Sequence, residues 1–318
     1  MKKILAILLA LTFVVCAFAA CGSKPEETTT APAEVTSEEV PAVDDTTAAP
    51  VEGTSAEATE AVTDESTTAA EGETTTLADG ETTTAAEKKL PTTPAEILAA
   101  YTAVMNQAKK DAPGFTKIEY QVLPDDANSR VITKGETLVS LALNVAGNFM
   151  TTEDKAKSEP EVKEKGNNMH NWPVYKCDAG CMLTDVSFIK SAKCEQLSNG
   201  NYKITMVTKS ENNPEPPAEG AASSPSKTGA MFGTISRKEI DDTLKGGIVS
   251  AAFKDVTYNL VFHDCTVVLV YNPANNQVIS LDQTTHTTIS GSAKALGISL
   301  DITKQELIDY VKFYDIKY

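Results

Sequence analysis

The chain has 318 residues and a formal net charge of −16 at pH 7, with 41% hydrophobic, 6% aromatic and 23% charged positions. Its only arginines are Arg130 and Arg237 and it has no basic patch, so nucleic acid is excluded as a partner. The acidity is confined to one segment, so it makes no case for a basic partner of the rest.

Residues 1–20 read as a signal peptide. Lys2 and Lys3 form a basic start, residues 4–15 are apolar except Thr12, and small residues lead to Ala19-Ala20 and then Cys21. This segment resembles the bacterial lipoprotein signal, or lipobox, with Phe18 where leucine is usual. The resemblance implies a diacylglyceryl thioether on Cys21, which becomes the first mature residue, and a lipid anchor of palmitate type at the outer face of the cell membrane. An uncleaved transmembrane anchor is the alternative, because the apolar run lies near the lower edge of the roughly 17–25 residues that span a bilayer. Both readings put the remainder outside the cytoplasm.

Residues 22–89 hold seventeen Thr, seventeen Asp or Glu, three Lys and no aromatic residue. Such a composition cannot bury enough apolar surface to offset chain entropy, so residues 21–90 are expected to form a disordered Thr/Glu/Ala-rich linker. Residues 22–89 carry −14 of the total charge, Lys2 and Lys3 supply +2, and residues 90–318 carry only −4.

Residues 91–318 are expected to fold as one extracytoplasmic α+β domain. Thr93-Pro94-Ala95-Glu96 is a helix start with a capping box. Ile97, Tyr101, Val104, Met105 and Ala108 then share a face, with Lys109 and Lys110 on the other. Residues 115–123 alternate as a half-buried strand through Ile118, Tyr120 and Val122. The turn that follows holds Asp125, Asp126 and Asn128, which lack the regular oxygen series of a calcium loop.

Val131 to Leu138, continuing through Leu141-Ala142, resembles the front half of a LysM module, which implies binding to peptidoglycan or chitin-type glycans. The chain then runs into Thr151-Thr152-Glu153-Asp154 instead of a second helix and closing strand. It is therefore read as a helix capped by Thr133 and Glu136, burying Leu138, Leu141, Ala142, Val145 and Phe149. Residues 155–171 read as loop with a short helix, and Trp172 as a core plug rather than a sugar platform.

Residues 186–197 and 202–208 predict a hairpin around Asn199-Gly200. Residues 210–230 form a long Pro/Ser/Gly/Ala-rich loop, and 236–244 a short helix. Four strands then close the chain at 256–271, 277–290, 292–302 and 307–318, the first pair joined by a turn at residues 272–276. Short links argue antiparallel pairing, giving a largely antiparallel sheet with N-terminal amphipathic helices on one face. The lipidated cysteine, spacer and single α+β domain together resemble bacterial cell-surface lipoproteins of no assigned activity.

Four cysteines follow the spacer: Cys177, Cys181, Cys194 and Cys265. In an oxidising compartment they are expected to pair as Cys194 with Cys265 and Cys177 with Cys181, with a four-thiolate zinc site as the first alternative and buried free thiols as the second. His263 and Cys265 lie two apart and are expected on one strand face, with Asp264 on the other, which separates the orienting carboxylate a nucleophilic site needs. His170 and His286 stand alone. No catalytic residue, metal or cofactor is assigned. The expected function is display of a binding or structural module that contacts cell-wall polymer, a small ligand or a surface protein. A hydrolase, or a carrier of lipid or another small apolar ligand, is the alternative.

Overall fold

The computed structural model describes residues 89–148, 150–166, 172–174 and 177–318. The leader, Cys21 and all but the last two linker residues lie outside these, as do Phe149 and His170. The first helix, α1 (Pro94–Asp111), begins as its residues dictate: Thr93 Oγ1 accepts the Glu96 amide, and the Glu96 carboxylate accepts the Thr93 amide at 3.0 Å. It buries the expected face, and Leu98 and Lys109 as well. Lys109 belongs to the interior because its Nζ donates to the Val174 carbonyl at 3.1 Å. Burial holds its ammonium down at about 8.

The chain continues through β1 (Gly114–Val122), β2 (Arg130–Lys134), α2 (Glu136–Asn148), α3 (Glu153–Ser158) and β3 (Glu161–Lys163). The expected capping box at Thr133 is not formed, because Thr133 belongs to β2, which pairs with the last strand. The chain instead turns into α2 at Gly135, whose φ of +69° suits glycine. The buried face of α2 is Val139, Ala142, Leu143 and Ala146, about one position round from the expected stripe, and Leu141 is exposed. The helix rotates because it packs on two surfaces at once, the sheet and the helices that follow.

After β4 (Ile189–Gln196), β5 (Tyr202–Thr208) and β6 (Glu211–Asn212) come α4 (Arg237–Lys245) and α5 (Gly247–Ala252). Three long strands end the chain: β7 (Phe253–Asn272), β8 (Gln277–Ala295) and β9 (Ile298–Lys317). Four strands were expected here. The break expected near residue 291 is only a register shift, and the true turn is Leu296-Gly297, with φ of +52° and +77°. A two-residue hairpin turn of this kind needs positive φ at both centres, which leucine rarely adopts, so the signal is hidden.

The sheet runs β3-β1-β9-β8-β7-β5-β4, with β2 also on β9 and β6 on β7. Every pairing is antiparallel. The fold is thus an antiparallel sheet of nine strands with a few helices, in keeping with the expected class. Trp172 plugs the core, its ring 5.4 Å from Phe115 and 4.7 Å from Phe313. That cluster also holds Tyr101 and Met105 of α1 and Val267 and Leu269 of β7. A second cluster gathers Val139 and Leu143 with Val249, Phe253, Leu300 and Leu307. Leu307 and Phe313 are six apart and share a sheet face. Tyr310, an odd number from each, points the other way, where it stacks on Tyr120 at 4.7 Å over Ala156 of α3.

The structure makes two predictions here. Phe313→Ala should cost about 3–5 kcal/mol, read as a lower urea midpoint from the fluorescence of Trp172, the one tryptophan. Lys109 is depressed to about 8 from an ordinary 10.5, so the unfolded chain holds its proton between these values while the folded chain does not. Its contribution to stability therefore rises as pH climbs from about 8 towards 10.5, and Lys109→Met should flatten that rise in denaturation midpoints measured across the window.

Candidate functional site

Two features stand on opposite faces of the β7-β8-β9 sheet. The first is an apolar cavity of about 130 Å3 between the sheet and α2, α4 and α5. It exists because residues 290–293 of β8 (Ser290, Gly291, Ser292, Ala293) are small. At Gly291 a Cβ would lie 2.4 Å from the Thr257 carbonyl oxygen, so only glycine permits this approach of β7 and β8. Val139, Leu143, Ile240, Leu244, Val249 and Phe253 supply much of the wall, and none of the lining residues is charged. The buried amide of Gln305 is fully engaged: Oε1 accepts from Arg130 Nε at 2.7 Å, and Nε2 donates to the Pro124 and Glu306 carbonyls.

The α4 wall is held from two sides. Tyr258 donates its hydroxyl to Asp241 Oδ1 at 2.7 Å, with the Arg237 guanidinium 5.0 Å from its ring centre. Burial, and then Asp241, push this phenol up to about 12. The Glu215 carboxylate accepts the Arg237 amide at 3.1 Å, tying the long loop to the start of the helix. That loop is otherwise pinned by Glu211, which accepts the amides of Lys227 and Thr228, and by Gln283, which donates to the Met231 carbonyl.

The second feature is a polar cluster on the other face. Thr288 pairs with Glu306 across β8 and β9, and His263 with His286 across β7 and β8. His263 Nε2 lies 2.7 Å from Glu306 Oε1, Thr288 Oγ1 donates to Glu306 Oε2 at 2.9 Å, and His286 Nδ1 is 4.0 Å from Glu306 Oε1. Burial first, then the neighbouring His263, lowers the His286 imidazole below its ordinary range.

The expected alternation at residues 263–265 is overturned. A β-bulge interrupts β7 between His263 and Thr266, with Asp264 at φ +49°. The extra residue lets His263 and Asp264 share a face, with Nδ1 and Oδ2 3.3 Å apart, while Cys265 turns fully into the core. The Asp264 carboxyl also pairs with Lys190, which is the first cause of its lowered titration.

The expected disulfides are not formed, and all four cysteines of the domain are free thiols. Cys194 pairs with Ile204 and Ile204 with Leu269, four residues along β7 from Cys265. Two strand spacings and four residues separate the two sulfur-bearing positions by roughly 16 Å, far beyond the roughly 7 Å limit for a bridge. The same distance prevents all four thiolates from meeting one zinc ion. Cys181 accepts from Thr102 Oγ1, and Cys177 donates to the Ala218 carbonyl, so the local pair faces different elements. Among the described residues, no group of three His, Cys, Asp or Glu side chains could hold a metal ion. Asp126 Oδ1 accepts the Asn128 amide and closes the turn it sits in.

Comparison with protein-family models, curated proteins and solved structures finds no match. The chemistry of the two sites rests on this chain's own residues. The carrier alternative allowed for an apolar groove without placing it, and Glu306 was passed over; the one sequence signal for the cavity is the run of small side chains at 290–293.

Burial pushes the Cys265 thiol up to about 12 and raises Cys181. Iodoacetamide at pH 7.5 should therefore leave both unlabelled in the folded chain and alkylate both in guanidinium. A thiol that stays unlabelled in guanidinium until reductant is added would reveal a disulfide instead.

Proposed function

We propose that this chain is an extracytoplasmic lipoprotein, anchored through a lipid on Cys21, whose folded part binds a small, uncharged apolar ligand or the apolar end of a larger one. In this reading the N-terminal helices back one face of the antiparallel sheet, and the ligand lies between α2, α4, α5 and that face. The observation that carries it is the cavity of about 130 Å3 lined without any charged residue. A void of that order, engineered in another protein, takes up benzene, which sets the scale of the buried group at roughly six carbons. Burying an ionised headgroup there would leave a charge unpaired, so a charged end has to remain outside.

A hydrolase is the second reading, favoured by one juxtaposition. Thr288 Oγ1 lies 3.2 Å from His263 Nε2, and Asp264 Oδ2 lies 3.3 Å from Nδ1, an order of hydroxyl, imidazole and carboxylate used in nucleophilic catalysis. Glu306 argues against it. Its carboxylate holds Nε2 at 2.7 Å and takes the threonine hydroxyl, so neither group is poised towards a substrate.

Saturation-transfer NMR on the full chain should show toluene and hexan-1-ol bound and hexanoate bound at least tenfold more weakly. Leu143→Trp, which fills the cavity, should abolish the toluene signal; a signal that persists would refute this site. Cys21→Ala should remove labelling by a fatty-acid probe, and label retained in that variant would refute the anchor.

A further inference from the structure

We propose that the hairpin tip between β8 and β9 docks on an anionic lipid bilayer, with Leu296 and Ile298 entering the acyl layer. The inference rests on the apolar-ligand reading above and gives that ligand a source, a lipid acyl chain taken from the membrane.

The tip departs twice from what its place in the fold favours. Leu296 and Gly297 sit at φ of +52° and +77°, and a leucine there holds its Cβ close to the following carbonyl, a strain that glycine avoids. The same side chain is 52% exposed, with Ile298 beside it at 47%. Two other hairpin turns of the sheet follow the local rule: Asn199-Gly200 and Asn275-Asn276 carry Asn or Gly, with Gly200 and Asn276 at positive φ. A strained, exposed, apolar tip costs stability, and departures of this kind concentrate at functional sites.

An apolar track joins the tip to the cavity. Ile298 follows Ile302 and Leu300 at alternate positions of β9, and both of these line the cavity. Its cross-strand partner Ala295 pairs in turn with Phe253, another lining residue. The adjacent positions are basic: Lys254 and Lys294 are direct partners across β7 and β8, and both are exposed. Like charges placed opposite each other weaken a sheet. Asp255 offsets one of them, its Oδ2 2.7 Å from Lys294 Nζ, while Lys254 donates to the Ser250 carbonyl at 2.7 Å.

Apolar side chains flanked by exposed ammonium groups complement an anionic membrane surface, where the first enter the acyl boundary and the second meet lipid phosphates. A second copy of the chain is a poorer partner, because it would bring two such lysine pairs together. From Cys21 to Lys89 is 68 positions, at most about 220 Å of chain, so a lipid on Cys21 leaves the tip free to reach the same bilayer. Tethering raises the effective concentration of that surface, so a small contact suffices.

The test places the full chain in vesicles of phosphatidylcholine and phosphatidylglycerol and reads tryptophan quenching by brominated acyl chains. Leu296→Trp should be quenched by at least half. Trp172, fully buried, should stay unquenched in the unaltered chain, as should Asn275→Trp at the opposite turn. Adding Lys254→Glu and Lys294→Glu to the Leu296→Trp chain should remove at least half of the quenching, as should vesicles of phosphatidylcholine alone. Ile298→Trp is the second reporter should Leu296→Trp unfold by far-UV circular dichroism. An unquenched tip, or equal quenching at Asn275→Trp, would overturn the docking; so would a tip emission that shifts to the blue with protein concentration in vesicle-free solution, which assigns the tip to a second copy. Toluene binding without tip quenching sinks the docking and leaves the cavity reading, whereas tip quenching without toluene binding sinks the cavity reading and leaves the docking.

Discussion

Two pairings on adjacent positions of β9, Thr288 with Glu306 and Thr287 with Leu307, set the whole arrangement. Because side chains alternate across a strand, this register sends Leu307 to the helix side and Glu306 to the other. A slip by one residue would bury the carboxylate among the leucines and expose the core. The β7-β8-β9 meander is unusually long, 20, 19 and 20 residues, so one register error would propagate along most of the sheet. Aromatic packing of Trp172, Phe115 and Phe313 at one end, and the Leu300 and Leu307 cluster at the other, hold the register at two separated places.

Local departures from regular pairing coincide with chemistry. Gly291 brings β7 and β8 together beside a register shift, and the small residues around it leave the apolar cavity unfilled. On the opposite face the bulge after His263 inserts Asp264, which places a carboxylate beside an imidazole that strict alternation would have separated. Both irregularities lie within one meander, and β9 serves both faces through consecutive residues: Gln305 lines the cavity and Glu306 holds the histidine cluster.

The four thiols, three of them buried and Cys194 half-buried, have little part in this arrangement. Each sulfur is held by a neighbour of a different element or packed as a small apolar group, and desolvation raises three of the four above their ordinary range. Free cysteine is at home in such interiors. The expectation of disulfides rested on compartment and even number, neither of which knows where the register places a sulfur.

Much of the fold is legible along the chain because it is decided by neighbours a few residues apart. The capping box at Thr93 and Glu96, the apolar stripe of α1, the turn at residues 272–276 and the 199–200 hairpin depend on local hydrogen bonds and on periodicity, which sequence carries directly. The expected leader and spacer rest on composition and motif alone and lie outside the described residues. Burial of Lys109, the rotated face of α2, the turn at Leu296-Gly297 and the bulge at Asp264 were decided by tertiary structure, since each sets a local preference against packing or pairing with residues far away in the chain. The cavity and the His263-His286-Glu306 cluster belong to the same class. Their members lie up to 182 and 43 positions apart, and only the register of long antiparallel strands brings them together.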